Sequence, residues 1–242
     1  MACHTRPVAT FRYAPEIVER YPAVRGGVLH AANVRNGPSS EDLAGTYRAA
    51  QEAALAEIGT TPLSELAAIA AWRRVFTSFR VKPTQYRNAA EALLRRLTKQ
   101  GSIPTINTLV DLGNLVAVRH RLPVAIFDQK AVSGATTVRF AAGDEWFTDL
   151  GSGQAGHPEV GEVVFVDEMQ LVSARRWCWR QSAQSAAGPD TTEVLITVEG
   201  HHEEAARDVA DAVADLESLL AAHQPMVLVR STVLSPARLD TP

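Results

Sequence analysis

Apolar residues recur at three- and four-residue intervals through some stretches of the chain and cluster or alternate through others, and the two rhythms predict different elements. "NGPSSEDLAGTYRAAQEAALAEIG" breaks at Asn36-Gly37-Pro38, offers Ser39 or Ser40 as an N-cap, puts Glu41 and Asp42 in the first turn and runs Ala-rich to Gly59, which predicts a helix. "TTPLSELAAIAAWRRVFTSF" repeats the signals, with Thr61 as cap and Pro62 at the first helical position, and predicts a second helix ending near Phe79. In "RVKPTQYRNAAEALLRRLTKQG" the residues Tyr86, Ala90, Leu93, Leu94 and Leu97 form one stripe, with Arg87, Arg95 and Lys99 opposite and Gly101 as the stop. A fourth helix is expected from about Asn107 to Arg119. A fifth lies in "HHEEAARDVADAVADLESLLAAH", with Val209, Val213, Leu216 and Leu220 inward and Asp208, Asp211 and Asp215 outward.

Between and around these lie β-type pieces. A strand or two falls in Phe11–Ala32, and others are "PVAIFD", "TTVRFA", "EVVFVD", "TEVLITVEG" and the terminal "MVLVRSTVL", divided by Gly-rich turns. The elements mix without a regular βαβ beat and without internal repeats. The fold class expected is therefore α+β, with mixed or antiparallel sheets and flanking helices, in a single domain over residues 1–242.

Composition changes this picture little. At 242 residues, 46% hydrophobic and 21% charged, the chain can bury a core without metals or disulfides. A net charge of -3 excludes a globally basic nucleic-acid protein but leaves room for a local basic face. Cys3 and Cys178 are the only thiols, and "MACHTRPVATFRY" lacks the layout of a signal peptide, so a cytoplasmic location is expected. The densest small-apolar run, Leu66 to Trp72, is far shorter than the roughly 20 residues of a bilayer span, so no membrane segment is expected.

Several chemical motifs read as plain structure. "HHEE" at 201–204 puts adjacent side chains about 100° apart on a helix, too splayed to converge on one ion, and is expected to be a solvated helix start. "GSGQAGH" at 151–157 lacks the Lys-Ser/Thr of a phosphate loop and lies between strands, as a hairpin loop would. No HExxH, CxxC or GxSxG occurs, so neither metal nor cofactor is expected.

Three features point further. From Arg73 to Lys99 the chain holds eight basic residues (Arg73, Arg74, Arg80, Lys82, Arg87, Arg95, Arg96 and Lys99) against one acid, Glu91. Such a segment is either an ordinary soluble face or a grip for a phosphate backbone, with salt-sensitive and sequence-blind affinity. "RRWCWRQS" at 175–182, read as extended, sets Trp177 and Trp179 on one side. It reads equally as a core strand and as an aromatic wall with Gln181 and Ser182 supplying hydrogen bonds. Asn107, Asp111 and Asn114 line up along one helix edge near Asp128, and are either a cavity rim or a structural network.

Taken in order, "AEALLRRL", "GSIPTINTLVDLGNLVAVRHRLPVAIFD", "VRFAAGDEWFTDL", "GEVVFVD" and "SAQSAAGPDTTEVLI" resemble the B3/B4 editing domain of the bacterial phenylalanyl-tRNA synthetase β subunit, most clearly over residues 91–200. The resemblance implies a B3/B4-like α+β fold that holds the 3′ end of a misacylated tRNA and hydrolyses its aminoacyl ester. Asn114 matches the family's Asn in the Val-Asp-x-x-Asn motif, which implies a catalytic role in orienting substrate or water. The sequence departs from the family at its His, here Ala125, at its Gly-rich pocket wall, here Trp177 to Ser182, and at its tyrosine-reading Glu, here Thr197. These departures imply a smaller or different side chain, or another ligand.

Without an aminoacylation core, such a domain would edit as a free-standing factor. On that reading Arg80 and Lys82 grip the terminal phosphate or carbonyl oxygen, while Asp111, Trp177, Trp179, Gln181 and Ser182 face the aminoacyl group. Arg73, Arg74, Arg87, Arg95, Arg96 and Lys99 hold the tRNA. The rival reading is a module that keeps tRNA or aminoacyl recognition without hydrolysis, consistent with Ala125.

Overall fold

The computed structural model describes residues 10–242; Cys3 and the first residues of the N-terminal reading lie outside them. The chain runs β1 (Phe11–Tyr13), α1 (Pro15–Arg20), β2 (Arg25–Ala32), α2 (Glu41–Ile58), a 3-10 turn (Leu63–Glu65), α3 (Ala67–Ser78), α4 (Ala89–Gln100) and α5 (Thr108–His120). It continues through β3 (Val124–Asp128), β4 (Thr136–Phe140), β5 (Phe147–Thr148), β6 (Ala155–Gly156), β7 (Val163–Val166), β8 (Val172–Arg175) and β9 (Arg180–Gln181). The last elements are β10 (Glu193–Gly200), α6 (Ala205–His223) and β11 (Leu228–Leu234). The fold is α+β.

An antiparallel sheet in the order β11-β2-β10-β3 divides the molecule. Both faces of its central strands are covered, so β10 is buried almost throughout. Val194, Ile196 and Val198 point, with Leu29 and Ala31 of β2, into a core shared with α2, α5 and α6. Leu195 and Val28 point the other way, toward a second sheet, β1-β4-β7-β8-β9, that contributes Phe11, Tyr13, Val138 and Phe165. The helix α3 inserts Trp72 and Phe76 into this second core.

Local signals account for most boundaries. Ser40 caps α2 by accepting from the Leu43 amide at 3.2 Å, and Gly59 at φ 51° ends it. Two expected helices are shorter than their sequence pattern. Pro62 begins only a 3-10 turn, and α3 starts at Ala67. Asn88 accepts from the Glu91 amide at 2.9 Å and so starts α4 at Ala89, leaving Tyr86 and Arg87 in the preceding turn. The "HHEE" stretch is also corrected: α6 begins at Ala205, and His201 and His202 are buried rather than solvated. His201 packs edge-on against Trp72 and Trp177, with centroids 4.5 and 4.9 Å away. Among the described residues no helix is long and apolar enough to cross a membrane.

Candidate functional site

A cavity of about 70 Å³ opens between the two sheets, lined from one side by Val124 and Ala125 of β3 and Thr197 and Glu199 of β10. Ala125 and Thr197 are register partners across the β3–β10 pair, so they stand side by side. The other wall is Phe165, Ala174 and the segment Trp177 to Gln181. Phe165, Ala174, Trp177 and Glu199 are buried and form the floor, while Trp179, Arg180, Gln181 and Ala89 are partly or fully exposed and form the lip.

Glu199 is the chemically distinctive member. It lies on the inner face of a strand buried on both sides, 2% exposed, and among the described residues has no cationic partner. Two donors converge on one oxygen: Tyr13 Oη donates to Oε1 at 2.5 Å and Trp177 Nε1 donates to the same atom at 3.0 Å. Trp72 Nε1 donates to the Glu199 main-chain carbonyl at 3.3 Å. Burial pushes the Glu199 carboxyl up to about 7, against the opposing pull of those two side-chain bonds. The backbone makes room for this arrangement at Gly26, the register partner of Glu199, where a Cβ would stand 2.3 Å from the Tyr13 hydroxyl. Burial, reinforced by Glu199, raises the Tyr13 phenol and the Cys178 thiol well above their ordinary values, so Tyr13 stays a donor and Cys178 is no thiolate nucleophile.

The tryptophan segment is not extended, which corrects its reading as a strand with two indoles on one side. Residues 176–179 form the turn between β8 and β9, with Arg176 at φ 44° and Trp177 at φ 60°. This left-handed backbone costs a bulky residue roughly 1–3 kcal/mol and persists because its surroundings hold it. The Trp177 amide donates to the Val163 carbonyl at 2.7 Å, and the indole is fully buried against Trp72 and Tyr21. Arg176 pairs with Glu159 at 2.8 Å and lies over the Tyr86 ring. Trp179 turns outward to the lip, flanked by Tyr86 and the Arg180 guanidinium. Gln181 is fixed there, its Nε2 donating to the Ile126 and Ser185 carbonyls at 2.7 and 3.1 Å.

On the other side of the first turn of α4 runs an open groove of about 500 Å³ between that helix and the 58–64 turn. Arg73, Arg87, Arg95 and Lys99 line it with a single acid, Glu91, whose Oε1 accepts from Arg73 at 2.6 Å. The groove is thus a strip of positive charge with one buried counter-ion. Ala89, two residues from Arg87, borders the cavity, so the start of α4 separates the two features.

The structure gathers some of the residues singled out from sequence and disperses others. Trp177, Trp179 and Gln181 line the cavity, and Arg73, Arg87, Arg95 and Lys99 line the groove. Arg74, Arg96 and Lys82 are exposed outside both, and Arg80 borders a separate depression beside Glu159 and Arg176. Ser182 is buried and tied to Gln184, its Oγ donating at 2.8 Å.

The expected polar edge on α5 is instead a set of separate structural bonds. Asn107 caps α5 by accepting from the Val110 amide at 3.0 Å, and Asp128 accepts from Thr191 at 2.6 Å. Asp111 is completely buried; its carboxylate accepts from Ser39 at 2.5 Å and from the Ile106 amide at 2.9 Å, which ties down the loop before α5. Asn114 lies beside the Tyr47 phenol of α2, in the helical layer, and does not line the cavity. Among the described residues no cluster of three or more potential metal ligands occurs.

The family model of the B3/4 domain matches residues 71–218, more than half of the chain. The chain belongs to the B3/4 domain family. In fold this B3/4 domain is similar to an N-terminal fragment of the phenylalanyl-tRNA synthetase beta-subunit from Pyrococcus horikoshii, with a TM-score of 0.50 at 14% sequence identity. The similarity covers 98% of this chain and 55% of that one, so the chain spans little more than half the fragment's length. A search of curated proteins gives no match.

The three departures noted from sequence, Ala125, Thr197 and the Trp177-bearing wall, meet in this same cavity. The turn at 176–177 has the backbone that glycine favours, yet carries Arg and Trp. Glu199 was missed in the sequence reading. Its signal was a carboxylate at the alternate position of an apolar strand, in phase with Leu195 and Thr197, which marks an acid facing a core.

Proposed function

We propose that this B3/4 domain binds the aminoacylated 3′ end of a tRNA and hydrolyses the aminoacyl ester as a free-standing editing factor. The observation that carries the reading is the juxtaposition of an inter-sheet cavity and a cationic groove across the first turn of α4. Arg73, Arg87, Arg95 and Lys99 hold the acceptor-stem phosphates, and the side chain of the ester enters between the sheets.

An aminoacyl ester is already reactive. Holding water in line with its carbonyl and stabilising the developing oxyanion accelerates hydrolysis without a covalent nucleophile. On the lip, Gln181 has both amide protons engaged with main-chain carbonyls, so its Oε1 is left to accept from water or from the substrate's ammonium. Arg180, paired through Nε with Asp149 at 3.3 Å, has further guanidinium donors for the terminal phosphate or the oxyanion. The ribose hydroxyl of the substrate itself carries the proton to the leaving oxygen.

A second reading, a non-catalytic tRNA- or aminoacyl-binding module, is favoured by Ala125, which offers no acid or base where the family's His stands. Binding without turnover would select it. The groove is tested in either case by the triple variant Arg87→Gln, Arg95→Gln, Lys99→Gln. Its affinity for tRNA by fluorescence anisotropy is expected to fall about 10–30-fold, with a shallower dependence on salt, because each lost phosphate contact removes about one counterion from the release. Arg207→Gln, outside the groove, should leave both unchanged. Equal affinity and salt slope in the triple variant and the wild type would remove the groove from the account.

A further inference from the structure

The cavity floor carries a group that neither the fold nor the departures from the family explain. A carboxylate in a protein interior is normally paired with a cation or held by several donors, because desolvation otherwise makes its charge very costly. Glu199 has neither form of full compensation. Both of its donors, Tyr13 and Trp177, are bonded to Oε1, and no described donor is bonded to Oε2. The neighbouring His201 cannot supply a charge: burial, with His202 and Arg25 adding to it, depresses its imidazole to about 3. Tyr13 fixes the carboxyl from the side of β1 and Trp177 from the β8–β9 turn, so it is held rigidly and has one free acceptor in a cavity that it lines.

Size narrows what can meet that acceptor. A space of about 70 Å³ is about half of the roughly 150 Å³ that takes up a benzene ring in a protein interior, and holds a few waters or a side-chain tip of a few heavy atoms. Trp177 occupies the floor and Phe165 the wall, and neither has solvent-exposed surface to yield. An aromatic ring does not fit. Apart from Glu199, the floor offers apolar surface in Phe165, Ala174 and Trp177.

We infer that Glu199 is the selectivity residue of this cavity and in its ionised form accepts, through Oε2, a hydrogen bond from a short ligand side chain ending in a hydroxyl or an ammonium group. The inference rests on the editing reading for the identity of the ligand as an aminoacyl ester, and adds that the amino acid is small and donor-tipped. Glu199 lies at the floor while Arg180 and Gln181 lie at the lip, so it reads the tip of the side chain and takes no part in opening the ester. A site built to accept such a bond rejects the methyl isostere, which leaves the buried acceptor unpaired.

The test uses non-hydrolysable 3′-amide analogues of aminoacyl-adenosine carrying serine, 2,3-diaminopropionate, 2-aminobutyrate or tyrosine, titrated into the full chain by calorimetry or NMR. Serine and 2-aminobutyrate differ only by hydroxyl against methyl. The wild type is expected to bind the serine and diaminopropionate analogues at least about ten-fold more tightly than the 2-aminobutyrate analogue, and the tyrosine analogue not at all. Glu199→Gln, which keeps an acceptor for Tyr13 and Trp177, is expected to reduce the preference for diaminopropionate to within about three-fold, as the charged pair is lost. A carboxyl with only a stapling role would leave these ratios unchanged. Equal binding of the serine and 2-aminobutyrate analogues by the wild type overturns the inference, as do tight tyrosine binding and failure of all four to bind. The ten-fold preference without hydrolysis of any aminoacyl-tRNA upholds it and rejects the editing reading.

Discussion

Trp177→Ala is expected to lower the free energy of unfolding by about 3–5 kcal/mol, measured by urea denaturation, with a corresponding loss of the cavity's floor. The indole is fully buried and makes edge-on contacts with Tyr21, Trp72 and His201 at centroid distances of 5.1, 5.3 and 4.9 Å. Truncation leaves a void at the junction of β8, β10 and α3 that rigid aromatic neighbours fill poorly. It also removes the Nε1 donor to Glu199. Trp177→Phe separates the two contributions: it keeps most of the apolar contact and loses the donor, and its expected cost is about 1–3 kcal/mol. If both variants retain wild-type midpoints, the indole does not hold the turn and the floor.

The second large effect is in the pH dependence of stability, compared between the wild type and Glu199→Gln. The Glu199 carboxyl stands at about 7 in the folded chain against an ordinary value of 4.5. Between those values the folded state binds the proton that the unfolded state has released, so stability falls as pH rises and the contribution is lost above about 7. Its size is roughly 3 kcal/mol. His201 acts in the opposite sense, because its imidazole is depressed to about 3 from 6.5 and stability is lost as pH falls through that interval.

Between about pH 4.5 and 6.5 the two slopes oppose each other in the wild type, which flattens its profile. Glu199→Gln removes one of them. The variant is expected to gain roughly 3 kcal/mol relative to the wild type between pH 4.5 and 8, and to show the uncovered His201 slope below pH 6.5. Parallel profiles for the two proteins would mean that Glu199 titrates like an exposed carboxyl.

The helical layer was the most legible part of the sequence, because its signals are local. Ser40 and Gly101 cap or stop their helices where the sequence offered a cap and a stop, α5 begins within a residue of its expected start, and Val209, Val213, Leu216 and Leu220 face the core. Errors arose where a second local preference competed. Asn88 offered a cap inside an otherwise periodic segment and shortened α4 by several residues. Residues 176–179 lack any Gly, Asn or Pro, so nothing in "RRWCWRQS" announces a turn; tertiary packing of Trp177 and Arg176 imposes it.

The candidate site was legible by residue type more than by position. The basic stretch was visible, but only coordinates show that Arg73, Arg87, Arg95 and Lys99 share a groove while Arg74, Arg96 and Lys82 do not. Asp111 illustrates why polar residues in an apolar helix mislead: a buried loop anchor and a cavity rim require the same residue at the same spacing. Glu199 carried a readable signal, but its cavity depends on β3, β8 and the 176–179 turn, which are distant in sequence.

The central claim is that the inter-sheet cavity receives the aminoacyl end of a tRNA held along the α4 groove and that the ester is hydrolysed there. It is tested most directly by single-turnover deacylation of a panel of aminoacyl-tRNAs, with the wild type and with Ala174→Leu, which plugs the cavity from β8. The account predicts that esters of short, donor-tipped amino acids are hydrolysed at least about ten-fold faster than those of large aromatic ones, and that the plugged variant loses this activity while still binding tRNA. Hydrolysis unaffected by the plug, or no hydrolysis of any member of the panel, would contradict it.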